Sequence, residues 1–304
     1  MHIETIRKPV TVRTLGDELR KQFGCRVHKI PVHAGMTCPN RDGTLGAGGC
    51  AYCGPSGSAS AWNDPDQPVV RQVSKGMEIA RSRFHAEKFI AYFQPFTNTY
   101  APVRRLQRLW DEALRVPNVV GLSVGTRPDC LPEPVLDLFS SYQDRLPYLC
   151  LEIGLQSAHD RTLREIRRGH DFACFKDAVS RAQARGIPIC AHVILGLPGE
   201  SEQEMMETVQ AVLDMGIQGI KLHHLHIIKG APLEQEYIQG RVRLFEMEEY
   251  VRLVCRILDG IGGRMVIHRF MGEAPGDLLV APLWTRRKGE VLNAIYRELN
   301  LCIQ

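Results

Sequence analysis

The 304-residue sequence has no apolar run of the about 20 residues that a bilayer crossing requires. Its opening residues, Met1-His2-Ile3-Glu4-Thr5, carry neither the charged nor the apolar region of a secretory signal. The expected compartment is therefore the cytoplasm, with no membrane partner. No Pro/Gly/Ser-rich linker and no low-complexity tract interrupts the chain, so one domain is expected over residues 1–304. Its core would span about 25–230, with a C-terminal extension over about 240–304. Neither sign of charge dominates: a formal net charge of +4 permits nucleic-acid binding without calling for it. The ten cysteines lack framework spacing, and in a reducing compartment they are free thiols or metal ligands.

What is present is a cysteine loop. Cys38-Pro39-Asn40-Arg41-Asp42-Gly43-Thr44-Leu45-Gly46-Ala47-Gly48-Gly49-Cys50-Ala51-Tyr52-Cys53 places three thiols in a glycine-rich segment. Three thiolates can hold a cubane iron–sulfur cluster and leave one iron open to a small molecule, as a catalytic zinc keeps one open position. Zinc with His28 or His33 as fourth ligand is the alternative, but closed zinc sites more often use two Cys-x2-Cys or Cys/His pairs, and one such pair exists here. Three unrelated core thiols come last, because Gly43, Gly46, Gly48 and Gly49 make a poor packed core. Local basic groups, Arg104/Arg105/Arg108, Arg167/Arg168 and Arg286-Arg287-Lys288, read as solvated helix faces, with a shared footprint for an anionic substrate as the sharper alternative.

Short β-branched runs alternate with helix-period segments. Strands are expected at 27–32, 89–93, 119–124, 148–154, 187–195 and 219–227; helices at 70–87, 103–116, 133–141, 160–167, 172–185 and 202–215. Ser201 and Glu204 form a capping box, and Gly186 and Gly216 sit where helices should stop. Strict alternation implies a parallel sheet with helices outside. Roughly 200 residues follow the repeat, fewer than the ~250 of a full eightfold barrel. The expectation is an α/β fold, a partial (β/α)6 TIM-like barrel. A helix at 245–258, the run 265–270 and a segment at 289–299 then build the C-terminal extension. The cysteine loop follows the first strand of the repeat, at the end where chemistry collects in such folds.

The loop resembles that of radical S-adenosylmethionine (SAM) enzymes, with a longer first spacing than the commonest three-then-two pattern. It is similar to the branch containing the Elongator catalytic subunit, and most of all to the bacterial YhcC/YtqA-like radical SAM family. The resemblance continues through Tyr92-Phe93-Gln94-Pro95-Phe96-Thr97-Asn98-Thr99-Tyr100-Ala101-Pro102, Gly125-Thr126-Arg127-Pro128-Asp129-Cys130 and Glu152-Ile153-Gly154-Leu155-Gln156-Ser157. Arg168-Gly169-His170-Asp171-Phe172, His192-Val193-Ile194-Leu195-Gly196-Leu197-Pro198-Gly199-Glu200 and Lys221-Leu222-His223-His224-Leu225-His226 complete it.

This resemblance implies a [4Fe–4S] cluster on Cys38, Cys50 and Cys53, with SAM on the fourth iron. One electron, from a donor such as flavodoxin or ferredoxin, would cleave SAM to methionine and a 5′-deoxyadenosyl radical. The cofactor supplies the hard step; the protein places it and excludes water and oxygen. Tyr52 matches the aromatic that such loops carry beside adenine. Glu152 and Gln156 would face the methionyl or ribose groups, and Leu195 and Gly196 belong to the strand end that contacts adenine. A lone carboxylate on an inner strand is costly unless paired, which separately marks Glu152. Arg127 could hold a carboxylate or phosphate by its planar fork, or pair with Asp129. The Gly-Gly-Glu-type SAM-amine motif is absent, and the Asn98/Thr99 backbone would replace it.

His223, His224 and His226 lie on the expected sixth strand, where His224 and His226 would share one face with no Asp, Glu or Cys nearby to complete a metal site; they read as polar lining of a substrate cavity, or as satisfied core histidines on whichever face points outward. Cys130, Cys174, Cys255 and Cys302 are scattered, and Cys150 and Cys190 read as small core residues. The expected function is a radical SAM enzyme whose substrate is open among a tRNA base, a small molecule and a protein. A non-catalytic zinc- or iron–sulfur-binding regulatory protein is the alternative.

Overall fold

The computed structural model describes residues 10–57, 64–274 and 276–299; Cys302 lies outside them. Ten strands are present among these residues: β1 (Arg13–Thr14), β2 (Val27–Val32), β3 (Lys88–Phe93), β4 (Val119–Thr126), β5 (Tyr148–Gln156), β6 (Ile189–Leu195), β7 (Gly219–His224), β8 (Ile227–Ile228), β9 (Val266–Arg269) and β10 (Leu279–Ala281). The helices are α1 (Leu15–Phe23), α2 (Val69–Phe84), α3 (Val103–Leu114), α4 (Glu133–Ser140), α5 (Asp160–Glu165), α6 (Phe172–Gln183), α7 (Glu202–Asp214), α8 (Pro232–Ile238), α9 (Met247–Ile261) and α10 (Lys288–Glu298). Among the described residues no helix is long and apolar enough to cross a membrane.

The strands form an eight-stranded sheet in the order β1-β9-β7-β6-β5-β4-β3-β2, parallel at every pairing. It curls into an open half-barrel. Six strands, β2 to β7, are the expected repeat. The run 265–270, expected in an extension, supplies β9, which joins the parallel sheet beside β7 and is itself flanked by β1. Strands of two and four residues are too short for periodicity to announce. β8 and β10 pair separately and antiparallel.

Helix ends follow local chemistry. The Ser201 hydroxyl accepts from Glu204 N–H, and the Glu204 carboxylate accepts from Ser201 N–H at 2.8 Å, the reciprocal box expected at the start of α7. The chain turns through left-handed φ at Gly186 (67°) and Gly216 (68°), where a side chain would be strained.

Within each strand, side chains alternate between two buried faces. Leu151, Ile153 and Leu155 of β5, Val124 of β4, Val193 and Leu195 of β6 and Leu222 of β7 point outward. They pack with Trp110, Phe139, Phe175, Val209 and Val254 of the helices in one core. Each such aliphatic side chain contributes about 1.5–3 kcal/mol by leaving water. The inner positions are different, and they build the site.

Candidate functional site

At the C-terminal end of β2 the cysteine loop folds on its own backbone. Arg41 N–H donates to Cys38 carbonyl at 2.8 Å, Gly49 N–H to Asn40 carbonyl at 2.8 Å, and Cys53 N–H to Cys50 carbonyl at 2.9 Å. Gly49 has φ 84°, and a Cβ there would lie 2.9 Å from Arg41 Nε, so no other residue fits without displacing that side chain. The loop is pinned to its surroundings through Ala51, whose N–H donates to Ile166 carbonyl and whose carbonyl accepts from Leu233 N–H, each at 2.9 Å.

Cationic and amide donors crowd the sulfurs. Arg168 reaches Cys50 Sγ through Nη1 (3.5 Å) and Gly154 carbonyl through Nη2 (2.6 Å). Asn40 Nδ2 donates to Cys50 Sγ (3.4 Å) and to Arg167 carbonyl (2.6 Å). Arg41 Nη2 lies 3.7 Å from Cys53 Sγ and 2.6 Å from Gly54 carbonyl. Burial pushes the Cys50 thiol up, yet Arg168, Arg127 and Asn40 together outweigh it and the pKa falls below the ordinary value. At Cys53 burial prevails over Arg41, and the thiol is raised, with Cys50 and Cys38 adding to the rise. The reading of Arg167/Arg168 as a solvated face holds for exposed Arg167 and is corrected for Arg168. Arg168 is buried, because α5 ends at Glu165 and the chain turns through Arg167 at φ 53°, which swings the next side chain inward.

The other expected residues gather around this loop to different degrees. Arg127 is 2% exposed and grips Asp129 through Nε (2.9 Å) and Nη2 (2.8 Å), while its Nη1 is buried without a partner. Asn98 gives Nδ2 to Pro95 and Gly125 carbonyls (2.9 and 3.2 Å), and its buried Oδ1 has no donor. The Thr99 hydroxyl is spent internally, between Thr126 Oγ1 (2.5 Å) and Cys130 carbonyl (2.6 Å). Gln156 is buried with φ 80°, a conformation costing a non-glycine residue about 1–3 kcal/mol. Its amide has no hydrogen bond to another described residue. Tyr52 packs onto a small cluster that includes Leu163, Ile194 and Leu225, and burial raises its phenol far above the ordinary value. Leu195 points into the outer core and gives its carbonyl to Leu225 N–H at 2.8 Å. Gly196 has φ 85°; a Cβ there would meet the Phe245 ring at 2.8 Å. His28 stacks on Phe84 (4.5 Å), and His33 meets Phe96 edge-on (5.9 Å).

Below the mouth the half-barrel interior is polar. Glu152, 0% exposed, accepts from Lys29 Nζ (2.6 Å), Ser123 Oγ (2.6 Å), His192 Nε2 (2.7 Å) and Lys221 Nζ. A direct contact with SAM would have to displace one of these four. Lys221 also donates to Tyr92 hydroxyl at 3.1 Å. Burial opposes ionisation of Glu152, but Lys221, Lys29 and His192 hold its carboxyl well below the usual range. Burial drives His192 down to about 4, aided by Lys221, so it is neutral at pH 7. Cys150 and Cys190 are buried small residues as expected, and they sit on this inner face beside Glu152. Lys29, Ser123, His192 and Lys221 were not found from the sequence. Their signal is a polar residue at an inner strand position, legible only once the strand faces are known. His224 turns out of the barrel, bonding Thr285 Oγ1 at 2.7 Å with His226 beside it.

Among the described residues, one group of Cys, His, Asp and Glu has its ligand atoms all within 4.8 Å of one another: Cys150, Glu152 and His268. The three loop thiols are spread more widely than that. A tetrahedral zinc with ~2.3 Å bonds would need sulfurs roughly 3.8 Å apart.

The sequence matches the Radical SAM superfamily over residues 40–212 and the Radical SAM C-terminal domain over residues 217–300. The chain belongs to the radical SAM superfamily. It is 42% identical to the uncharacterized protein YtqA of Bacillus subtilis, over 94% of this chain and 88% of that one. It is 38% identical to YhcC of Escherichia coli K12, over 95% and 92%. Elongator complex protein 3 of Saccharomyces cerevisiae matches at 27% over 53% of this chain and 29% of its own length. Among solved structures, the archaeal Elp3 of Methanocaldococcus infernus superposes with a TM-score of 0.65 at 17% identity, covering 91% of this chain and 64% of that one. Its likeness is one of fold.

Membership of the radical SAM superfamily implies an enzyme with an iron–sulfur cluster and SAM, and the donor set suits both. A cluster on three thiolates is anionic, and here guanidinium and amide N–H groups already point at two of the sulfurs. Among the described residues, buried Arg41 Nε, Arg127 Nη1 and Arg168 Nε have no acceptor, and Asn98 Oδ1 has no donor. Orphaned groups of both kinds at one mouth match a zwitterionic ligand with a carboxylate and an ammonium.

Proposed function

We propose that this radical SAM enzyme holds a [4Fe–4S] cluster on Cys38, Cys50 and Cys53 and uses it to cleave SAM reductively. The observation that carries the reading is the loop itself: three thiols on a glycine-rich turn at the barrel mouth, with Arg168, Asn40 and Arg41 directed at their sulfurs. The bound cluster and SAM would supply a one-electron cleavage of the sulfonium, giving a 5′-deoxyadenosyl radical that acts on the substrate. This chain's residues do the rest. Arg168 offsets negative charge at Cys50, where Asn40 adds a neutral hydrogen bond, and Arg41 offsets charge at Cys53. Asn98 Oδ1 would accept from the SAM amino group, the spare Arg127 and Arg168 donors would take its carboxylate, and Gln156 would take a ribose hydroxyl. Tyr52 and the Gly196 backbone border the adenine. Glu152 lies beneath, as the anchor of the polar interior. The thiol spacing supports a cluster over a mononuclear zinc.

The test is anaerobic iron and sulfide content together with SAM turnover under dithionite. About four irons per chain and release of 5′-deoxyadenosine are expected. Zinc in place of iron would refute the reading; iron without cleavage would leave a redox or sensing cluster and refute the enzymatic part.

A further inference from the structure

The interior of a packed (β/α) barrel is normally filled by branched aliphatic side chains. In this half-barrel the inner positions instead carry Lys29, Tyr92, Ser123, Glu152, His192, Lys221, His223 and His268. Two ammonium groups, with 15% and 5% of their side chains exposed, face a single carboxylate that is 0% exposed. His192, His223 and His268 add no negative charge, and burial keeps all three neutral at pH 7. The set therefore carries unbalanced positive charge out of water, which is costly without an anion to face it.

Further groups on the β7–β9 side have the same want. His223 stacks on His192 (5.7 Å), and its buried Nε2 has no partner. Arg269, at the end of β9, lies 3.9 Å from Glu273, whose carboxylate is also bonded by Lys288. Arg269 is nonetheless the cross-strand partner of Lys221 in the β7–β9 pairing, which sets it beside the same space. A cation does not suit this place. The metal-spaced trio Cys150, Glu152 and His268 shares its carboxylate with both ammonium groups, which a dication would have to expel.

We propose that the substrate taken into the half-barrel is a small molecule whose carboxylate or phosphate lies against Lys221, His223 and Arg269. The site rests on the radical SAM reading only for the chemistry performed there. A polymer is disfavoured, because Lys221 is 5% exposed and lies at the middle of β7, below the mouth. The anion completes the charge that Glu152 leaves unbalanced, gives His223 Nε2 an acceptor, and orients the rest of the molecule toward the cysteine loop.

The experiment is calorimetric titration of the anaerobically purified, cluster-loaded full chain with inorganic phosphate and, separately, succinate at constant ionic strength. Saturable binding of at least one is expected, and which one binds separates phosphate from carboxylate. Arg269→Met should weaken it at least tenfold. Lys221→Met takes one of the two ammonium groups from buried Glu152, so it is combined with Glu152→Gln; that double variant should also lose tenfold or more. Arg104→Ala, on the exposed face of α3, should not change binding. No saturable binding of either probe, or binding indifferent to both interior variants, overturns the proposal. Steeply salt-dependent binding of bulk tRNA with no binding of either small anion overturns it too. Iron content and SAM cleavage in the same preparation keep the two readings apart: both intact without anion binding removes this inference alone.

Discussion

Replacing Glu152 with alanine should unfold this protein more readily than any other single polar substitution in the barrel. The carboxylate accepts from Lys29 at 2.6 Å, Ser123 at 2.6 Å, His192 at 2.7 Å and Lys221, and none of its surface is exposed. Removing it strands two buried ammonium groups, and breaking one buried ion pair by deleting a partner costs about 3–5 kcal/mol. With two cations bereft and a cavity left behind, the upper end of that range is expected. Glu152→Gln keeps the volume and one acceptor oxygen, so about 2 kcal/mol is expected, the worth of a charged hydrogen bond. Adding Lys221→Met to Glu152→Gln removes one stranded cation and should recover part of that loss, a coupling of roughly 0.5–3 kcal/mol. The assay is equilibrium urea unfolding of the cluster-free chain, followed by far-ultraviolet circular dichroism at pH 7. The sign of the pH dependence follows from the carboxyl lying well below its usual range. Its stabilisation is complete above the unfolded value of about 4.3 and is lost as pH falls through the folded one. If Glu152→Ala unfolds within about 1 kcal/mol of the parent, the lysines reach water and the network is no anchor.

Alanine at Cys38, Cys50 or Cys53 should each abolish iron retention, while Cys174→Ala keeps it; iron in the triple variant would end the ligand assignment. Arg168→Met should keep iron but lower the cluster's midpoint potential, because a cationic donor to Cys50 Sγ is removed; an unchanged potential in an electron paramagnetic resonance titration would exclude that role. His192 and His224 are held at about 4 and about 3, below the unfolded ~6.5, so their neutral burial stabilises above 6.5 and drains away as pH falls. Each should contribute up to about 1.4 kcal/mol per pH unit in that window, and His224→Phe should flatten the slope of stability against pH. Gly196→Ala faces both a left-handed φ of 85° and the Phe245 ring at 2.8 Å, so a loss of about 1–3 kcal/mol is expected, partly relieved by Phe245→Leu.

The sequence by itself determined the three-thiol content of the cysteine loop, because Cys38, Cys50 and Cys53 lie within one local segment and need no long-range geometry to be seen. It determined the parallel sheet equally, since alternating strand and helix patterns leave few other ways to bury both faces. It also marked Glu152 as a carboxylate unaffordable without partners, without naming them. Only the tertiary structure named them: Lys29, Ser123, His192 and Lys221 come from β2, β4, β6 and β7, far apart in the chain and joined through the curl of the sheet. The same holds for Arg168, which reads as a helix-face charge until the turn at Arg167 carries it under Cys50. Strands buried on both faces give one hydrophobic-looking run whether the inner face is oil or charge. Which polar residues meet there is set by register and closure, and those are properties of the folded sheet.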